Sequence, residues 1–193
     1  MTATTDETAF AAENVFGKGD PNTAFAQYFI GNSFLKNLVE DEQCAVGVHN
    51  VTFEPGCRNN WHVHHATTGG GQVLICTAGS GWYQEDGKDA VSLEPGTVIF
   101  TRAGVKHWHG ARADSWFSHI ALAVPGENTS NEWLEPVDDG DQTVGGEGVA
   151  FDDEAIGADE GLSFDDEAVD ADAGLSFDSE PRLVAASRRR PSS

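Results

Sequence analysis

Between residues 44 and 124, no run of β-branched and aromatic residues goes far before a glycine, proline or acidic cluster breaks it. The pieces read CAVGVHNVTF, EPG, QVLICTAGSGWYQEDG, DAVSLEPG, TVIFTRAG, SWFSHIALAV and PGEN. Runs this short, punctuated this regularly, suit strands joined by tight turns. No stretch among them carries a persuasive 3.6-residue apolar period, so helices are not expected there. The pattern predicts an all-β sandwich or barrel. At 193 residues the chain has length for one domain of ordinary size plus tails.

The flanks are different material. Formal charge is −21, with 16 acids against seven Lys/Arg over residues 1–137 and 16 acids against four Arg over 138–193. In the second part GVAFDDEAIGADE, GLSFDDEAVDADA and GLSFDSEPRLVAA repeat at a 13-residue period from position 148. Each unit holds a single Phe and few aliphatics. That is too little apolar surface to offset an ordering entropy of roughly 1–2 kcal/mol per residue. Residues 138–193 are therefore expected to form a disordered acidic tail. A second reading makes the repeated [GS]-F-D-[DS]-E a short linear motif for a protein partner. Residues 1–13 are expected as a flexible N-terminus and 14–137 as the folded domain, with GKGDPN at 17–22 a turn or loop.

Charge and composition also exclude partners. No basic cluster offers a footprint for nucleic acid, and an anionic membrane surface repels such a chain. No segment approaches the ~18 apolar residues of a membrane span. The start, MTATTDETAF, lacks the basic and apolar regions of a secretory signal. A soluble cytoplasmic protein is the expectation. Cys44, Cys57 and Cys76 show no CxxC spacing and read as reduced, mostly buried thiols.

Chemistry concentrates in the histidines. His62 and His64 are two apart, and His107 and His109 repeat the device. On a strand, side chains at i and i+2 share a face, about 7 Å apart along the chain, so one strand can aim two imidazoles at one ion. Gln72 opens the apolar run QVLIC, and its amide can point into the same interior. His119 shares a face with Phe117 and Ala121, and His49 with Val51 and Phe53. An imidazole near a metal but not bound to it can move protons near neutral pH. His119, His109 and His49 are thus candidate acid/base residues.

The glycine and histidine spacings now resemble a known family. Gly56-x5-His62-x-His64 with Gln72-x6-Gly79, then Gly96-x5-Arg102-x-Gly104-x2-His107, resembles the two motifs of the cupins. The resemblance implies a jelly-roll barrel, or double-stranded β-helix, over about residues 14–136. It implies a divalent metal held by His62, His64, Gln72 and His107. The chain departs from the family in two places. Seven residues, HATTGGG, separate His64 from Gln72 where three or four are usual, and Gln stands where Glu is usual. Glycines let the longer segment bulge and still return Gln72 to the barrel wall. A neutral donor set leaves the ion its full +2 charge, which favours a small anion or a polarised carbonyl.

The runs FEPGCRNNWHVHH, GWYQEDGK, GVKHWHGA and PGENTSNEWLEPV resemble one branch more closely, the manganese-dependent cupin hydroxynitrile lyases. Members stand alone or fused to carboxymuconolactone-decarboxylase-like domains, and the acidic segment after 137 is not expected to form such a domain. The resemblance implies manganese, then iron, zinc or nickel, a small-molecule substrate, and a homo-oligomer of two chains or more. It implies cyanohydrin cleavage and formation, with His119 as the pocket histidine. Two other readings stay open: an oxidoreductase using the same metal and O2, and a non-catalytic sensor or carrier of a small ligand.

Overall fold

The computed structural model describes residues 3–40 and 44–138. The acidic repeats lie outside the described residues. Within them, two antiparallel sheets face each other. One runs Asp20–Pro21, Ser33–Asn37, Val48–Phe53, Phe117–Ala123, Gln72–Gly79, Val98–Thr101 in spatial order. The other runs Val91–Leu93, Gly81–Glu85, Lys106–Ala111, Arg58–Asn59, Phe29–Ile30. His62–His65 joins it by pairing with Lys106–Ala111 and with Ser130–Trp133. This is the all-β barrel that the short punctuated runs predict.

Period-two alternation sends one set of side chains inward from each sheet. Val51, Phe53, Leu74, Cys76, Phe117 and Ala121 from the first sheet meet Tyr83 and Ala111 from the second. Phe53, Leu74 and Phe117 are fully buried, each stabilising the fold by about 1.5–3 kcal/mol. The opposite face of the first sheet is polar but sealed. Ser118 Oγ donates to Asn50 Oδ1 (2.9 Å), and Asn50 Nδ2 donates to the Gly17 carbonyl (2.8 Å). The sheet turns sharply at Gly79, where φ is +67° and a Cβ would run into the Trp116 carbonyl oxygen.

The N-terminus departs from expectation. Where a flexible 1–13 was expected, Glu7–Glu13 is helical, and the Asp6 carboxylate caps it by accepting from Thr8 N (2.8 Å) and Ala9 N (3.2 Å). Phe10 gives the segment its anchor: it is 1% exposed and stacks on Trp116 with centroids 5.5 Å apart. The Trp116 indole donates to the Thr5 carbonyl (3.1 Å). One buried aromatic and a cap offset the ordering entropy of a short helix, and neither shows in hydrophobic periodicity.

The cysteines are free, Cys44 exposed and Cys57 and Cys76 buried. Burial pushes both buried thiols up to about 12, so they stay protonated and unreactive. Among the described residues no helix is long and apolar enough to cross a membrane.

Candidate metal centre

The strand His62–His65 points His62 and His64 to one side, and the adjacent Lys106–Ala111 strand sets His107 directly opposite His62 in register. Residues paired that way have Cβ atoms about 5 Å apart. One ring nitrogen from each of His62, His64 and His107 lies within 4.8 Å of the others. Centroid separations are 4.1 Å for His62–His107, 5.1 Å for His62–His64 and 5.3 Å for His64–His107.

Each ring is held from behind. His62 Nδ1–H donates to the Asn60 carbonyl (3.0 Å) and His107 Nδ1–H to the Val105 carbonyl (3.0 Å). His64 Nδ1–H donates to Asn131 Oδ1 (2.7 Å). All three partners only accept, so all three tautomers are set, with the lone pair on Nε2. Burial then keeps the rings neutral. His62 is pushed well below its ordinary value by burial and by His107 and His64. His107 falls to about 4 and His64 also falls, both chiefly through burial. Neutral imidazoles with a fixed Nε2 lone pair are what a cation requires.

Gln72 begins the strand Gln72–Gly79 of the facing sheet, between Phe117–Ala123 and the edge strand Val98–Thr101, and its amide lies beside the His64 ring. Gln72 Oε1, His64 Nε2 and His107 Nε2 are buried without a hydrogen-bond partner. Buried polar atoms are seldom left so. Several lone pairs orphaned together fit a divalent cation, and the donor set of imidazoles and a carbonyl oxygen suits Mn, Fe, Ni or Zn.

The remaining candidates separate. His109 and His119 come together, His119 Nε2 lying 3.2 Å from His109 Nδ1. His109 is the nearer to the trio, with centroids 5.6 Å from His62 and 6.2 Å from His107. His119 stands behind it, packed on Phe53 and Phe117. A register shift between Ser118 and His119 sets His119 opposite Cys76. Burial drives His119 down to about 4, and burial with the neighbouring imidazoles drives His109 well below its ordinary value. His49 is half-buried opposite Ala121, away from these rings, with Nδ1 buried and unpartnered.

Three residues enter that spacing alone did not single out. Asn59 Oδ1 accepts from His109 N (3.0 Å), which leaves its Nδ2 to donate to His109 Nε2 (3.0 Å). The His109 proton therefore sits on Nδ1, shared with His119. Asn131 lies in register with His64, and Trp133 packs on His62 with centroids 4.8 Å apart. Strand pairing places these groups, Asn59 on Arg58–Asn59 and Asn131 and Trp133 on Ser130–Trp133, and histidine spacing carries no signal for any of them. Beside His64 and Asn131 opens a cavity of about 450 Å³, also lined by Ala45, Gly71, Val124 and Ser130.

Comparison with known proteins agrees with this geometry. The cupin domain model matches residues 49–118, which include the trio and Gln72. The chain is 36% identical over 115 residues to an (R)-mandelonitrile lyase from Granulicella tundricola, covering 59% of this chain and 85% of that protein. A cupin-like protein from Thermotoga maritima superposes with a TM-score of 0.57 at 37% identity, covering 66% of this chain and 92% of that one. Two facing antiparallel sheets, paired histidines on adjacent strands and these two likenesses place the chain in the cupin superfamily, in its branch similar to hydroxynitrile lyases.

Proposed function

We propose that the protein is a metal-dependent lyase for small oxygenated molecules and that it cleaves and forms cyanohydrins. The observation that carries this is a second imidazole pair, His109 and His119, hydrogen-bonded to each other beside the His62–His64–His107 trio. One set of rings suits a cation and the other suits a proton. The identity to an (R)-mandelonitrile lyase supports the same chemistry.

His62, His64, His107 and Gln72 would hold the cation, with manganese expected ahead of iron, zinc or nickel. Bound there it supplies Lewis acidity, stabilising negative charge on cyanide or on the substrate oxygen. The protein's own residues handle the proton. His119 is neutral at neutral pH, so it is ready to accept. Asn59 holds His109 in the tautomer whose Nδ1–H faces His119, so the two rings share one proton along one hydrogen bond. In cleavage the cyanohydrin O–H proton passes to His109, the ring nearer the trio, as the His109 Nδ1 proton moves to His119 Nε2, and the C–C electron pair leaves with cyanide as the carbonyl forms. Return of the proton gives hydrogen cyanide and restores the rings. Phe53 and Phe117 flank His119 and keep water away from it.

The test is His119→Ala with metal content and mandelonitrile cleavage measured on the same sample. Metal content should stay at the wild-type level while cleavage falls about 10²–10⁴-fold. Cleavage at the wild-type rate with normal metal content would remove His119 from the mechanism.

A further inference from the structure

One strand of the first sheet breaks its alternation, and the break lies beside His119. Strict alternation along Gln72–Gly79 would put Leu74, Cys76 and Ala78 on one face. Leu74 and Cys76 do enter the barrel core, but Ala78 packs on the other side with Phe10 and Trp116. Thr77 is the extra residue. Ser118 pairs with Ala78 and His119 with Cys76, so Thr77 has no partner on Phe117–Ala123. The bulge keeps the two strands in phase. Without it the run Gln72–Cys76 would turn over, taking Leu74 and Cys76 out of the core and Gln72 off the barrel wall.

A bulge bends and twists its strand locally, and two sets of hydrogen bonds hold this one in a single geometry. Thr77 Oγ1 donates across the break to the Ser118 carbonyl (3.1 Å), the peptide group that leads into His119. From the other side Ser118 Oγ donates to Asn50 Oδ1 (2.9 Å) and accepts from Thr52 Oγ1 (3.1 Å). Asn50, Thr52 and Ser118 are all 0% exposed, sealed where Asn50 reaches the Gly17 carbonyl. A buried network of mutually bonded groups rigidifies the backbone that carries it.

His119 needs that rigidity. Its Nε2 lies 3.2 Å from His109 Nδ1, at the long end of hydrogen-bond distances, and about 0.4 Å more would break the contact. Phe53 and Phe117 pack on the ring, and the backbone at the bulge sets where the ring starts.

We propose that Thr77 is a positioning residue for His119: its hydroxyl locks the bulge and so holds the imidazole within hydrogen-bond reach of His109. The inference rests on the proton role given to that pair, and its test separates the two.

Thr77→Val removes the hydroxyl and keeps the branched shape, while Thr77→Ser returns the hydroxyl. Solvent exchange of the His109 Nδ1 proton is followed by NMR on the full chain with zinc added. Mandelonitrile cleavage is measured on manganese-loaded samples of the same variants. In Thr77→Val the proton should exchange about fivefold faster or more. Its kcat should fall by up to about 10²-fold, with KM and metal content nearly unchanged. Thr77→Ser should restore both, and Thr77→Ala takes the place of a Val variant that does not fold. A proton as protected in the variant as in wild type overturns the proposal and leaves the lyase reading intact. Faster exchange with unchanged cleavage sustains the positioning and removes the pair from the chemistry. Wild type that cleaves no mandelonitrile overturns the lyase reading, and the exchange rates still decide this one. Wild type without a protected proton between the two rings overturns both.

Discussion

Asn131→Leu separates a metal-centre role from a purely structural one. His62 and His107 donate their Nδ1–H to backbone carbonyls, which no substitution removes. His64 alone of the three uses a side chain, Asn131 Oδ1 at 2.7 Å. Asn131 is exposed, and its backbone pairing with His64 does not depend on its side chain. Removing a solvent-accessible hydrogen bond of this kind should cost no more than about 1 kcal/mol of stability. The effect on metal is larger, because the ring is freed to rotate and the tautomer with its lone pair on Nε2 is no longer enforced. Loss of such a partner typically weakens metal binding about 10–100-fold, or roughly 1.4–2.7 kcal/mol. Competition against a chromophoric chelator measures affinity, and urea unfolding of the metal-free protein measures stability. Asn131→Asp should restore or tighten binding, since a carboxylate accepts the same proton more strongly. Equal metal affinity in wild type and Asn131→Leu would refute the claim that Asn131 orients a ligand.

Other expectations follow from the same site and its scaffold. His107 and His119 sit at about 4 against an ordinary 6.5, so below 6.5 the unfolded chain takes up protons that the folded chain refuses. Metal-free stability should be fully present above pH 6.5 and fall as pH drops towards 4, by up to roughly 3 kcal/mol per imidazole; urea midpoints flat across that window would contradict it. Gln72→Glu puts a carboxylate at an orphaned buried oxygen, so the metal-free protein should lose about 1–3 kcal/mol while metal affinity rises about tenfold or more. Unchanged affinity in that variant would place residue 72 outside the ligand set. Phe10→Ala should cost about 3–5 kcal/mol by urea unfolding, and a loss below about 1 kcal/mol would mean that the N-terminal helix is not docked.

The barrel was legible because its information is local. Period-two alternation and Gly/Pro turns are properties of neighbouring residues, and they name the inner face of Phe117–Ala123 without coordinates. Convergence of His62 and His64 is local in the same sense, since both lie on one strand. Meeting His107 required register between distant strands, which the spacing of the glycine turns carried only by resemblance. What stayed hidden depends on pairing across space. Asn131 reaches His64 from a strand 67 positions along the chain, and Asn59 reaches His109 over 50. Strand faces grouped His49, His109 and His119 alike, whereas packing joins the last two and leaves His49 apart. The N-terminal helix was missed because one buried Phe and a capping Asp decide it.

The central claim is that His62, His64 and His107 hold one metal ion within the barrel. Elemental analysis of protein purified without chelators tests this most directly, with His107→Ala prepared alongside and its fold checked by circular dichroism. The expected result is about one divalent ion per wild-type chain and almost none in the folded variant. A wild-type protein without metal, or a variant that keeps its full complement, would contradict it.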